Sequence, residues 1–208
     1  MKSATTVSRE VVLIDAGGSN LGSVDFALRR LGVEARITAD HARIRAASHV
    51  ILPGVGAAAN GMQRLRDSGV DQLLPTLIQP VLGICLGMQL LADYSEEGDV
   101  ACLGIVSGVV RRLSAAPDRR VPHMGWNRLQ RLVDDPLLAG LSAADSLYFV
   151  HGYALDVGAC TLASVDYGNP FSALVRRGNF CGMQFHPERS ASAGSRLLAN
   201  VLRLGEPA

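Results

Sequence analysis

Several things are scarce or missing in this sequence, and each closes off a class of function. Positive charge comes almost wholly as arginine, with Lys2 the only lysine, and acids balance it to a formal net charge of +1. That balance leaves no global basic footprint for nucleic acid and no acidic excess, so no nucleic-acid partner is expected. Cys85, Cys102, Cys160 and Cys181 show no C-x-x-C spacing and no paired histidines nearby. Neither a zinc site nor a disulfide frame is indicated, and no metal or cofactor is expected. Met1 to Val7 lack the apolar core of a signal peptide. The one long uncharged stretch, Gln72 to Ala92, is broken by Pro75, Pro80, Gly83 and Gly87, which speaks against a membrane span. Internal repeats, linkers and low-complexity segments are missing as well. What is present, 208 residues of which 48% are hydrophobic, suffices for one domain with a sizeable core. It is expected to span residues 1–208, with 1–9 outside its ordered part. A soluble, cytoplasmic enzyme is the expectation that remains.

Taken in order, the chain reads as alternating strands and helices. Glu10 to Asp15 is an apolar strand that runs into Ala16-Gly17-Gly18-Ser19-Asn20. Leu21, Val24, Ala27, Leu28 and Leu31 then recur at helical spacing until Gly32 stops the helix. The Gly-Gly loop lacks the glycine and lysine patterns of a phosphate cradle, and is expected to shape the C-terminal edge of a sheet instead. Val33 to Ile37 and His49 to Leu52 are the next strands, and Ala57 to Leu65 a helix with Met62 and Leu65 inward. Ser95 to Asp99 reads as a polar surface loop, and Gly104 to Val110 as the point where the sheet restarts. Between Arg111 and Arg131 stand six arginines and one acid, Asp118. Within them, Pro122-His123-Met124-Gly125-Trp126-Asn127 suits either a contact surface or a solvated arginine edge with one half-buried tryptophan. Leu147 to Tyr153 is a strand, and the Gly, Asn and Pro punctuation beyond it predicts antiparallel hairpins through 162–165 and 172–175. Phe180 to Phe185 is a last strand and Ala191 to Leu204 a closing amphipathic helix. The expected fold class is α/β: three layers, a mostly parallel sheet with helices on both faces, and an antiparallel extension in the C-terminal half.

Val81-Leu82-Gly83-Ile84-Cys85-Leu86-Gly87-Met88-Gln89 is the stretch with most chemical content. An apolar strand turns sharply at a cysteine flanked two residues away on each side by glycine, the thiol version of a nucleophile elbow. The turn puts Cys85 in a tight backbone conformation where neighbouring side chains would collide, and at a helix start that favours thiolate. A buried structural cysteine beside two packing glycines would look the same. Pro53-Gly54-Val55-Gly56 ends another strand, so in a parallel sheet it lies beside Cys85 at the carboxyl edge, where such sheets bind ligands. Its backbone N–H groups, with that of Leu86, make candidate oxyanion donors; an ordinary strand-to-helix turn is the alternative. His186-Pro187-Glu188 places imidazole and carboxylate on one side of an extended chain, because proline disfavours helix at His186. A thiol, an imidazole and an orienting carboxylate make a nucleophilic triad, and Cys85, His186 and Glu188 are the candidate catalytic residues. His41 and His49 read as structural, whereas His123 and His151 lie in segments suited to a partner or a pocket. Cys102, Cys160 and Cys181 read as packing residues.

With these motifs in hand, the chain resembles the class I, triad-type glutamine amidotransferases, a flavodoxin-like three-layer fold. The matching stretches are Pro53 to Gly56, Gly83 to Gln89 and Gln184 to Glu188. Pro122 to Asn127, Tyr148 to Tyr153 and Ile14 to Leu21 are most similar to the glutaminase subunits of imidazole glycerol phosphate synthase. The resemblance runs from about Val11 to Leu204. It implies that Cys85 attacks the glutamine amide to form a cysteinyl thioester, that His186 is base and then acid, and that Glu188 orients it. It implies an oxyanion hole around Gly54, Val55 and Leu86, and places Gly56, Gln89, Gly152 and Tyr153 at the amino-acid end of L-glutamine. It further implies a heterodimer with a (β/α)-barrel cyclase, contacted through Asn20, His123, Met124, Trp126 and Arg189. Ammonia would pass to that cyclase, which converts phosphoribulosyl-formimino-AICAR-phosphate to imidazole glycerol phosphate and AICAR in histidine biosynthesis. Gly152 stands where a small hydroxyl residue is common, Arg189 where lysine is usual, and Gly17-Gly18-Ser19-Asn20 is a variant opening loop that keeps Asn20. A different enzyme on a similar elbow, such as the amidotransferase of pyridoxal phosphate synthesis or a γ-glutamyl hydrolase, has no evident use for Pro122 to Asn127. A partner-binding module without activity has no need of Cys85, His186 and Glu188 together.

Overall fold

A computed structural model describes residues 10–15 and 20–205. The proposed disorder of residues 1–9 and the variant loop at Gly17 to Ser19 lie outside the described residues. The first half alternates β1 (Val11–Ile14), α1 (Leu21–Arg30), β2 (Ala35–Thr38), α2 (His41–Ala46), β3 (His49–Gly54) and α3 (Ala58–Asp67). The short α4 (Val70–Leu73), β4 (Val81–Cys85) and α5 (Leu86–Leu90) follow. The second half is strand-rich: β5 (Tyr94–Ser95), β6 (Val100–Ala101), β7 (Val109–Arg112), β8 (His123–Arg128), β9 (Gln130–Arg131) and β10 (Ser146–His151). It ends with β11 (Tyr153–Leu155), β12 (Thr161–Asp166), β13 (Pro170–Arg177), β14 (Phe180–Met183) and α6 (Ala191–Leu202).

One eight-stranded sheet runs in the order β2-β1-β3-β4-β14-β13-β12-β9. The pairings from β2 to β14 are all parallel, and those from β14 to β9 antiparallel. The parallel part has the 2-1-3-4-5 order of doubly wound folds, with β14 as fifth strand. Its inner strands β1, β3, β4 and β14 are largely apolar because both faces are covered, whereas the edge strand β2 carries Arg36 and Thr38 and is not buried. On β1, Val11 and Leu13 pack with Val24 and Leu28 of α1 and Leu197, Leu198 and Val201 of α6. Val12 and Ile14 point the other way, to Ile44 of α2 and Met62 and Leu65 of α3. Two core layers separated by one sheet follow directly from the two-residue period of a strand.

Two expectations from sequence need correction in detail. Gly104 to Val110 does not rejoin the main sheet. The segment before β7 folds back on the end of α5, with N–H groups of Leu103, Gly104 and Ile105 bonded to carbonyls of Leu90, Ala92 and Leu91. Gly104 (φ +63°) and Gly108 (φ +137°) allow that path, and β7 then joins a separate sheet, β11-β7-β5-β6. Nor is Leu147 to Tyr153 one strand: it breaks at Gly152, so β10 pairs with β8 while β11 pairs with β7. That break bears on the site, because Val150 and His151 before it and Tyr153 after it all line one cavity.

Candidate active site

Cys85, the last residue of β4, has φ +53° and ψ −111°, a conformation that a non-glycine residue adopts only when its surroundings enforce it. The enforcement comes from close backbone packing. A Cβ on Gly87 would lie 1.8 Å from the Leu52 carbonyl oxygen of β3, and one on Gly83 would lie 2.6 Å from the Gly87 oxygen. Glycine at both positions lets β3, β4 and the start of α5 meet, and the turn holds the thiol up at the carboxyl edge of the sheet. On the two strands that flank β4 lie Gly54, at the end of β3 and paired with Cys85, and on the other side His186, which follows β14.

His186 is held by its backbone as well as its ring. Its N–H donates to the Tyr148 carbonyl of β10 at 2.9 Å, and its carbonyl accepts from the Ser190 hydroxyl at 2.7 Å. His186 Nδ1 lies 2.8 Å from Glu188 Oε1, and the two side chains are 8% and 1% exposed. Asn20 Nδ2 donates to the same Oε1 at 2.8 Å. Asn20 is at the N-cap position of α1 but makes no side-chain cap bond, which leaves its amide available for that carboxylate. Burial works against charge on His186, yet hydrogen bonds to Cys85 and Glu188 outweigh it and push its pKa up to about 10. Burial likewise opposes charge on Glu188, but the bonds from His186 and Asn20 win and hold its pKa below the ordinary carboxylate value.

A cavity of about 200 Å³ opens over these groups. Cys85, Leu86 and His186 line it together with Val55 and Gly56, Val150 to Tyr153, Gln89 and Glu97. The candidate substrate residues Gly56, Gln89, Gly152 and Tyr153 therefore share one cavity with Cys85 and His186. A Cβ at Gly152 would meet only Val121 Cγ1 at 3.8 Å, so nothing in the backbone requires glycine there. Glu97 was not among the sequence-derived candidates: its loop reads as surface, but its carboxylate accepts the Ala58 N–H at the start of α3 at 3.0 Å, and burial raises its pKa. No local signal marks it, because its neighbours come from 39 residues away.

The five interface candidates separate into three environments. Met124 and Trp126 alternate outward along β8 and are 63% and 55% exposed. Trp126 packs edge-on to Tyr148, and the Arg189 guanidinium sits 6.0 Å from the Tyr148 ring centre, so Trp126, Tyr148 and Arg189 make one surface. His123 instead points inward, 3% exposed and stacked on Tyr167 and Phe149. Asn20 belongs to the His186–Glu188 group. Arg111, from the arginine-rich segment, is spent on Glu96 and Asp156. Among the described residues no cluster has a metal's ligand set and no helix is long and apolar enough to cross a membrane. Burial raises the thiol pKa of Cys102 to about 11 and of Cys181 to about 12, so neither competes as a nucleophile.

A doubly wound sheet with a strained cysteine at the end of its fourth strand, and a histidine–carboxylate pair after its fifth, is an arrangement suited to a thiol hydrolase of the amidotransferase type. The chain belongs to the class-I glutamine amidotransferase family, whose model matches residues 12–203. Within it, the chain is 56% identical over 198 residues to the imidazole glycerol phosphate synthase subunit HisH of Xanthomonas axonopodis pv. citri, covering 95% of this chain and 99% of that one. The HisH subunit of Xylella fastidiosa is 54% identical over 195 residues, 94% and 98% of the two chains. A solved glutamine amidotransferase shares the fold at a TM-score of 0.71 and 22% identity, over 92% of this chain and 97% of its own.

Proposed function

We propose that this chain is the glutaminase subunit of an imidazole glycerol phosphate synthase, hydrolysing L-glutamine with Cys85, His186 and Glu188. The observation that carries the assignment of residues is that Cys85 and His186 line one cavity while Glu188 and Asn20 lock the far side of the imidazole. The Cys85 thiolate attacks the amide carbon, and the oxyanion that forms is met by the N–H of Leu86 and backbone N–H groups around Gly54 and Val55. Collapse breaks the C–N bond as the His186 imidazolium gives its proton to the departing nitrogen, releasing ammonia and leaving the thioester. Water then attacks the thioester, His186 takes its proton, the C–S bond breaks, and glutamate leaves with the thiolate restored. Glu97 is the one acid on the cavity wall among the described residues and suits the glutamine α-ammonium, with Gly56, Gln89, Gly152 and Tyr153 around the same end.

The HisH name of the relatives belongs to a subunit of a complex, and the ammonia has to reach a second active site. A (β/α)-barrel cyclase is the proposed partner, docking over Met124, Trp126 and Arg189 beside the triad, with His123 and Asn20 supporting that face from beneath. The cytoplasm is the proposed location. The test is glutamate release by the purified chain alone, with the cyclase, and with the cyclase and its ribonucleotide ligand. Negligible release alone and a large rise in the ligated complex are expected. High activity alone, unaffected by the cyclase, would keep Cys85 as nucleophile and remove the coupled partnership.

A further inference from the structure

Gln184 is fully buried, two residues before His186, and the steps above give it no task. Its amide lies in a chain of polar groups whose directions are settled by one carbonyl. The Tyr153 carbonyl can only accept, and Gln89 Nε2 is 2.8 Å from it. Gln89 therefore turns its NH2 group inward, and its second N–H reaches Gln184 Oε1 at 3.0 Å. With its oxygen so engaged, Gln184 must present Nε2 on its other side, where it lies 3.9 Å from Cys85 Sγ. On another side of the sulfur, the Val150 carbonyl oxygen is 3.8 Å away and can only accept an S–H.

The geometry points to Gln184 as a dedicated N–H donor to the Cys85 sulfur, held in that direction by Gln89 and favouring the thiolate over the thiol. An N–H aimed at sulfur stabilises the anion, whereas the Val150 carbonyl opposes it and favours the protonated thiol. The two together set how easily the nucleophile forms before glutamine arrives. His186 is the mobile proton acceptor and Gln184 the fixed donor. Because Gln184 has no exposed surface, no water replaces its N–H when the cavity fills with substrate. The donor also ties the nucleophile to the substrate pocket, since Gln89 lines that pocket while orienting Gln184.

This rests on Cys85 being the nucleophile, and the experiment separates the two. The rate of Cys85 alkylation by iodoacetamide is followed against pH without glutamine, with the modified peptide identified by mass spectrometry, in wild type and Gln184→Met. The titratable groups around the sulfur, namely His186 with Glu188 behind it, His151, Glu97 and Tyr153, are kept in both proteins. The expected result is a profile displaced upward by about one pH unit, so that on its rising limb alkylation is roughly tenfold slower at a given pH, with a lowered kcat for glutamine and a smaller change in KM. Superimposable profiles, with only KM raised, would overturn the inference and leave Gln184 as a bracket for Gln89. If Gln184→Met fails to fold, Gln184→Glu keeps the acceptor toward Gln89 and removes the amide N–H. Its profile is expected to move upward too, and an unchanged one overturns the inference equally. If instead alkylated wild-type protein still hydrolyses glutamine, the nucleophile assignment itself falls.

Discussion

Two buried histidine sites lie on the walls of one cavity and hold protons in opposite ways. His186, after β14, is pushed up to about 10; His151, at the end of β10, is pushed down to about 3, and its neighbour His123 to about 4. Burial acts in the same direction on all three and favours the neutral ring. The partners differ. His186 has the Glu188 carboxylate at 2.8 Å and the Cys85 thiol on its other side. His151 Nδ1 is 2.8 Å from the Tyr153 carbonyl, so it carries the proton there, and its bare Nε2 accepts from His123 Nδ1 at 3.2 Å. That pair packs among Phe149, Phe171 and Tyr167, and among the described residues no carboxylate is bonded to either ring. Burial thus makes a structural imidazole, and a carboxylate converts a buried imidazole into one able to hold and return a proton.

The sharpest way to break this contrast is His186→Ala. It is expected to lower kcat for glutamine hydrolysis by about a thousandfold or more with the fold intact by circular dichroism. Retained turnover would remove His186 as the base.

The pH dependence of stability should carry the contrast with opposite signs. His123 and His151 have folded pKa values below the ordinary 6.5, so their neutral forms contribute stability that is present above pH 6.5 and lost as pH falls. Between pH 6.5 and 4.5 each imidazole is expected to cost about 2 to 3 kcal/mol of unfolding free energy. In urea titrations, His123→Phe should reduce that acid loss, and an unchanged slope would mean the pair is not what is titrating. His186 has a raised folded value, so its contribution is complete below pH 6.5 and lost as pH rises toward 10. His186→Ala should flatten that alkaline limb.

Glu188→Gln tests the partner itself. It is expected to lower kcat on the order of a hundredfold, because the neutral amide no longer stabilises the imidazolium. It should also shift the alkaline stability limb to lower pH, and a limb left in place would mean that Glu188 does not set the His186 value. The smallest effect concerns the outer face of β8, on the opposite side of the strand from His123. Trp126→Ala should change stability by only about 1 kcal/mol, since its ring packs edge-on to Tyr148 while more than half exposed. Cyclase binding should weaken much more, and a large fall in Tm of the isolated chain would make Trp126 a core residue.

Much of this was legible in the sequence because it depends on local rules. The glycines at 83 and 87 announce an elbow, the proline at 187 puts His186 and Glu188 on one side, and apolar runs such as Val11 to Ile14 announce strands covered on both faces. Harder to read were features that need a partner from far along the chain. Gly152 ends one strand and starts another only because β8 and β7 offer different edges. Asn20 belongs to Glu188, 168 residues away, and Glu97 to the start of α3, 39 residues away. The spacing at 123–126 cannot say that His123 turns inward while Trp126 turns out; alternation predicts opposite neighbours, and only the packed Phe149 and Tyr167 decide which side is buried. The residue types of the site and the order of its elements follow from the chain alone, because backbone sterics and side-chain period act over a few residues. Which imidazole holds a proton, which amide faces the sulfur and which loop reaches the cavity depend on packing between distant segments. Desolvation and hydrogen-bond direction depend on what surrounds a group in space.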